Sequence, residues 1–234
     1  MKNNLFITAT NTDVGKTVVS SLICNKLLKN NKKVAYYKPI QTGSINNSSP
    51  DCDFLKNLFD NDNNFSVKSS YIFKKAASPH YASSLENVLI NEEVIINDYS
   101  LLSKKNDYVI VEGAGGLLVP VNNEDFFIAT IPKMLNLNVL LVANAGLGTL
   151  NNVLLNDFYC NKNNIKLKVI ILVHDGKEPT DIELNNYETL KKITKNKNIY
   201  LIKSVKGVDT EKKIVGNFFE TDFIEYNEIE RWFI

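Results

Sequence analysis

The sequence predicts an α/β protein with a doubly wound, mostly parallel sheet. Three observations carry this. Short apolar and β-branched runs alternate with helical patterns along most of the chain. The runs are continuously apolar, as strands covered on both faces are. Each segment with chemical character sits directly after such a run, where ligands of this architecture bind.

Taken in order, Leu5 to Ala9 reads as a buried strand. "TNTDVGKT" follows, and Val18 to Asn30 places Val18, Leu22, Leu27 and Leu28 at helical spacing. Val34 to Tyr37 reads as a second strand, ending at "KPIQTG". Residues 44–51 are rich in Ser, Asn and Pro and read as a loop, and Asp53 to Leu58 as a short helix. Residues 61–75 carry no decisive pattern, while 91–105 reads as helical. "YVIVEGAGG", from Tyr108 to Gly116, is a strand entering a glycine-rich turn, and "NVLLVANAGLG", from Asn138 to Gly148, is another. Leu150 to Lys162 reads as a helix, Lys168 to Val173 as a buried strand, Ile182 to Lys195 as a helix and Ile199 to Ile202 as a last strand. Residues 205–234 hold no motif, but Trp232 and Phe233 suit the packing of a terminal helix. With no repeat, linker or composition break, the expectation is one domain over 1–234.

Composition bounds the function. Apolar residues make up 44% of the 234, enough for a core, and the net charge of +1 gives no general attraction for nucleic acid or acidic membrane. The three cysteines are far apart and form no C-x-x-C, so reduced thiols and a cytoplasmic location are expected. The phosphate-loop motif begins too near the start to leave room for a signal peptide, and no apolar run is long enough to span a bilayer.

Gly15-Lys16-Thr17, after a strand and before an amphipathic helix, fits a phosphate-binding loop. Backbone N–H groups would cradle phosphate oxygens, Lys16 would reach the β- and γ-phosphates, and the Thr17 hydroxyl would meet Mg²⁺. Ala9 stands where a glycine usually opens such a loop, which requires a negative φ there. The alternative is an ordinary strand–turn–helix with an exposed lysine. Glu112, in "VEGAGG", follows a buried strand and points toward the site. Thr17, Asp53 and Glu112 together offer one hydroxyl and two carboxylates, a set suited to Mg²⁺ that keeps waters and phosphate oxygens. Singly, Asp53 also reads as a surface acid or a helix cap. Lys38 brings positive charge after the second strand, or is simply solvated.

The set "TNTDVGKT", "YKPIQTG", "SPH" at 78–80, "VEGAGG" followed by "LLVP", and "GLGTLNN" resembles the dethiobiotin synthetase family in order and rough spacing, over residues 5 to about 155. The resemblance implies a P-loop NTPase-like fold and a homodimer with sites at the subunit interface. It also implies ATP- and Mg²⁺-dependent joining of CO₂ to 7,8-diaminopelargonate, giving dethiobiotin, ADP and phosphate, with no nucleic acid or membrane partner. It assigns Lys16 to the transferring phosphoryl group, Lys38 to the carbamate, and Thr42 to a hydrogen bond with it. Thr12 lies by phosphate and Asp13 by the substrate amines. Nucleotide contacts extend through Val14, Gly15, Lys16, Thr17, Val18, Glu112 and Gly115. The helix opening at Gly148, Thr149, Leu150 and Asn151 would take the substrate carboxylate from across the dimer.

The pattern departs in three places. Asp13 replaces a common glutamate, which shortens reach without changing sign. The place that often reads the base with Asn-Asp holds His174 and Asp175; His174 either presents a hydrogen bond or is a surface turn residue, the latter being the reading preferred. "LIKSVKG", 201–207, lacks the usual proline. The rival to a ligase is a switch-type ATPase acting on a protein partner. Such proteins carry a further lysine early in the loop, and none lies between Leu5 and Gly15.

Overall fold

The computed structural model describes residues 3–44, 46–122, 125–194 and 197–233. Seven parallel strands form one sheet: β1 (Asn3–Ala9), β2 (Val34–Gln41), β3 (Phe65–Ile72), β4 (Tyr108–Glu112), β5 (Asn138–Asn144), β6 (Leu167–His174) and β7 (Asn198–Lys203). Their order is β3-β2-β4-β1-β5-β6-β7. From β1 the chain runs outward through α1 (Lys16–Lys29), β2, α2 (Pro50–Leu58) and β3. It returns by α3 (Pro79–Leu85) and α4 (Glu92–Lys105) to insert β4 beside β1. It then leaves on the other side by α5 (Thr130–Met134), β5, α6 (Thr149–Lys162), β6, α7 (Asp181–Ile193) and β7. A two-stranded hairpin, β8 (Val208–Asp209) with β9 (Ile214–Val215), and α8 (Tyr226–Glu230) complete the described chain.

The doubly wound reading follows from side-chain alternation. On β1, Leu5, Ile7 and Ala9 pack with α1, α2 and the C-terminal segment, while Phe6 joins the opposite layer. Ile95 of α4, Val153 and Cys160 of α6 and Leu190 of α7 fill that opposite layer. Trp232, fully buried, and Phe233 close the α1 layer, with Tyr108 packed edge-on against Phe233.

Several elements differ from the sequence reading, each for a local reason. β2 runs on to Gln41 through Pro39 instead of stopping at Tyr37. Its ladder with β4 ends at Tyr37↔Val111 and only β3 remains alongside, so the N–H that proline lacks has no central-strand partner to lose. β3 is an edge strand, half-buried throughout, which explains the weak signal over 61–75. α2 begins at Pro50, inside the expected loop, because Ser49 caps it by accepting from Cys52 N–H and Pro50 suits the first turn. The short α3 and α5, and the β8–β9 hairpin, had no legible pattern. Ile45 of the expected loop, Lys195 of the expected helix and Ile234 lie outside the described residues. Among the described residues, no helix is long and apolar enough to cross a membrane.

All three cysteines are buried free thiols. Burial pushes Cys52 and Cys160 up to about 12 and Cys24 higher still. Iodoacetamide at neutral pH should therefore add nothing to the native protein in a short exposure and three groups in urea. A fast native adduct, read by mass spectrometry, would contradict the packing.

Candidate functional site

The ends of β1, β2 and β4 and the starts of α1 and α2 converge on one buried cluster. Strand parity aims the side chains. Val34 and Tyr36 on β2, and Tyr108 and Ile110 on β4, pack into the α1–α2 layer. Lys38 and Glu112 come two residues later on each strand and face the same way. The two strands pair through Tyr37↔Val111, so both side chains arise just beyond the last shared rung.

Lys38 Nζ donates to Glu112 Oε1 at 2.7 Å and to the Gly113 carbonyl at 3.3 Å, and lies 2.7 Å from Asp51 Oδ2. Thr17 Oγ1 is 3.0 Å from Glu112 Oε1 and 3.2 Å from Asp51 Oδ1; with one proton, it can donate to only one of them at a time. Ser20 on α1 donates to the other Glu112 oxygen at 2.7 Å, which fixes the carboxylate plane. Lys38 is 4% exposed and Glu112 0%. Gly113 must lack a side chain, since a Cβ there would meet Phe6 and Ile128 at 2.9 Å.

Burial works against the charged form of each group; neighbours overcome it at Lys38 and Asp51, and it prevails at Lys16. For Lys38, burial opposes the ammonium, but Asp51 and Glu112 outweigh it and hold its pKa above the ordinary lysine value. For Asp51, burial favours the protonated acid, and Lys38 overcomes it, holding the carboxyl below its usual range. Lys16 is lowered, by burial first and then by the Lys38 charge.

The loop supports the phosphate reading. Gly15 has φ 95° and caps α1, and Lys16 opens the helix with Nζ 3.5 Å from the Asn11 carbonyl. Asp13 takes a left-handed φ of 57°, a conformation in which Asp is enriched. Ala9 sits within β1 and is not among the positive-φ residues, so the missing glycine is tolerated. Val14 is buried against the α1 layer, Val18 is half-buried, and Thr12 and Asp13 are exposed at the tip.

The metal-ligand expectation needs one correction. Asp53 does not join the cluster; its carboxylate pairs with Lys213 at 3.4 Å, partly exposed on the outer face of α2. Asp51 takes the inner position. Successive residues turn by 100°, so positions 51 and 53 lie about 200° apart and cannot share a face. A legible signal existed: Asp51 is in phase with the buried Phe54, Leu55 and Leu58, whereas Asp53 is in phase with the exposed Lys56 and Asn57.

A cleft of about 460 Å³ lies between the loop, the turn after β4 and the flank of α6. Thr12, Gly115, Leu118, Asn152, Leu155 and Tyr159 are among its lining residues. Gly148, Thr149, Leu150 and Asn151 are not among them. Gly148 (φ 83°) opens α6 without a side-chain cap, and the buried Thr149 hydroxyl has no partner. Asn186 of α7, which sequence reasoning missed, pins the preceding turn by donating to the carbonyls of Ala145 and Gly146. Thr42 follows β2 half-buried. His174 corrects the surface-turn reading: it is a buried strand-end residue, its Nδ1 has no partner, and its carbonyl accepts from Ser204. Asp175 is exposed.

Among the described residues, no three Asp, Glu, His or Cys side chains form a metal cluster. One hydroxyl and two carboxylates, beside a loop shaped for phosphate, suit a hard, partly hydrated cation.

A family model described as an AAA domain matches residues 3–212. Similar curated proteins include the ATP-dependent dethiobiotin synthetase BioD of Clostridium novyi (strain NT). It is 35% identical over 239 residues, covering 99% of this chain and 98% of that one. The BioD of Brachyspira hyodysenteriae is 39% identical over 175 residues, 74% of this chain and 79% of that one. Among solved structures, apo McdA of Cyanothece matches with a TM-score of 0.60 over 100% of this chain and 97% of that chain, at 14% identity, a likeness of fold alone.

Asp51→Asn should weaken Mn²⁺ binding by roughly tenfold or more and cost about 1–3 kcal/mol of stability, because it removes a charge-assisted hydrogen bond while Lys38 keeps Glu112. Asp53→Asn should leave Mn²⁺ binding unchanged and stability within about 0.5 kcal/mol. Paramagnetic titration and urea unfolding measure both, and the reverse ranking would return the role to Asp53.

Proposed function

The chain belongs to the family of ATP-dependent dethiobiotin synthetases, and from that premise we propose that it joins CO₂ to 7,8-diaminopelargonate at the expense of ATP, closing the ureido ring of dethiobiotin in biotin biosynthesis. The observation that carries this reading is the buried Lys38 ammonium meeting two carboxylates that also share the Thr17 hydroxyl, with a second buried ammonium, Lys16, held in the phosphate-shaped loop beside them. Residues 1–234 act as one ligase domain.

The chemistry needs little covalent help from the protein. One substrate amine adds to CO₂, forming a C–N bond and releasing a proton, to give a carbamate. A carbamate oxygen attacks the γ-phosphorus and ADP departs. The second amine then attacks the carbonyl carbon of the mixed anhydride, phosphate leaves, and a second proton is lost as the ring closes. Each step gathers negative charge at a known place, so positioning and positive charge supply most of the catalysis.

The residues take roles accordingly. Lys16, already desolvated, meets the transferring phosphoryl group, with the N–H groups of Val14 to Val18 around the phosphates and Thr12 and Gly115 at their edge. Lys38 meets the carbamate, with Thr42 alongside. Asp13 faces the substrate amines from the loop tip. Thr17, Asp51 and Glu112 hold Mg²⁺, which would neutralise charge on the nucleotide phosphates when bound. His174, a buried side chain with an unpartnered nitrogen at the end of β6, lies two strands from β1 and faces the base, with Asp175 beside it.

The substrate's chain suits the mixed lining of the cleft. Its carboxylate suits the uncapped start of α6, Gly148 to Asn151, which lies outside the cleft of its own chain. A homodimer resolves this by presenting that helix start from the other subunit. The exposed Leu118, Leu147 (89%), Leu155 and Phe158 (70%) around the cleft supply an apolar surface for it.

Purified protein with the diamine, bicarbonate, Mg²⁺ and ATP should release phosphate and dethiobiotin together, and Lys16→Ala should slow this by roughly 10²-fold or more. Phosphate release that ignores the diamine would instead support the switch-type ATPase. Because the base place departs from the family pattern at His174 and 201–207, GTP and CTP should compete measurably with ATP in the same assay. Strict preference for ATP would overturn that expectation.

A further inference from the structure

Lys38 Nζ lies between Asp51 and Glu112, the same pair of carboxylates that a shared cation would engage. Its Nζ is 2.7 Å from Asp51 Oδ2 and 2.7 Å from Glu112 Oε1. Thr17 Oγ1 touches the same Glu112 oxygen at 3.0 Å and the other Asp51 oxygen at 3.2 Å. A Mg²⁺ ion bound to both carboxylates sits about 2.0–2.1 Å from each oxygen. An ion held that closely by the same pair would stand against the ammonium, and two positive charges so near each other repel strongly in a buried site.

We infer that the Lys38 ammonium and the divalent cation are alternative occupants of the Asp51–Glu112 pair, and that cation entry transfers the ammonium to the reacting anion. This rests on the metal reading given under Proposed function. The side chain is suited to such a move. Lysine carries a compact charge on four flexible carbons with three donors, unlike the planar fork of arginine. Its other contact here, the Gly113 carbonyl at 3.3 Å, is a weak tether. Ser20 keeps Glu112 oriented through the opposite oxygen, so the carboxylate stays in place when its Oε1 partner changes. The consequence is an order of events. The ammonium is withheld on the carboxylates until metal and nucleotide are loaded, and only then becomes available to stabilise the carbamate. A lysine fixed on the carboxylates could not serve both.

Mn²⁺ binding to nucleotide-free protein tests this. Lys38→Met removes the competitor and should tighten Mn²⁺ binding by roughly tenfold, the effect of one neighbouring charge. Lys38→Arg, a bidentate occupant, should weaken it below wild type. Equal or weaker binding by Lys38→Met, with wild type binding Mn²⁺ and Asp51→Asn losing it, overturns the inference alone. Absence of Mn²⁺ binding in every form overturns the metal reading and this inference together. Should Lys38→Met fail to fold, nitrogen-detected lysine NMR of the wild-type chain decides. The Lys38 Nζ signal should move and exchange faster with water as Mg²⁺ is added, and a signal unchanged at saturation overturns the proposal.

Discussion

A carboxylate at the end of β4 and another in the first turn of α2 cannot both stay charged in a buried site without a cation between them, and the active end of this protein is arranged around that constraint. Asp51 and Glu112 meet the same Lys38 ammonium at 2.7 Å each. Such a cluster is poor material for stability, since desolvating three charged side chains offsets most of what their attraction returns, and apolar packing of the same volume would serve a fold equally well. Its presence in a buried site points to chemistry. The sheet makes it affordable by spending apolar surface elsewhere: beneath the cluster, Val34, Tyr36, Ile110, Ile7 and the α1 residues are fully or nearly fully buried.

Much of this arrangement was legible in the sequence because two signals were strong. Continuous apolar runs identified β1, β4, β5 and β6, whose described cores are buried on both faces. Glycine-bounded motifs marked where those strands stop and chemistry begins. What escaped was what burial does not imprint. The edge strand β3 is half-buried along its length and carries Ser, Lys and Tyr, so neither a run nor a clean alternation survives. Asp51 escaped for a different reason. Composition placed residues 44–51 in a loop and left Asp53 as the first helical acid, whereas the Ser49–Pro50 start moves the helix back far enough to give Asp51 an inward direction. His174 was misjudged because "HDG" resembles a turn, and the turn begins only after it.

The comparisons separate two kinds of information. Fold similarity extends across the whole chain at 14% identity to a protein of a different name, so the fold alone is shared property. The relatives at 35–39% identity carry the functional name. The difference between the groups should therefore lie in residues the fold does not require. Lys38 and Asp51 are of that kind. Nothing in a seven-stranded parallel sheet demands a lysine at the end of β2 or an acid on the inner face of α2, and both are costly where they stand.

The site also has a gradient of burial that follows the reaction. Glu112, Lys38 and Lys16 are buried, where fixed dipoles and charges act most strongly because water is excluded, and under the proposed reading they would face the nucleotide phosphates and the transferring group. Thr12 and Asp13 are exposed at the loop tip, and α6 presents Leu155 and Phe158 to solvent near the cleft. The phosphate half is thus complete within one chain, whereas the substrate half is open on the side where an apolar surface waits. An enzyme that must shelter a carbamate from water cannot work with that side exposed. Closure by a second chain, as proposed above, would satisfy that requirement, and Gly148 to Asn151, absent from the lining of their own cleft, would be available to it.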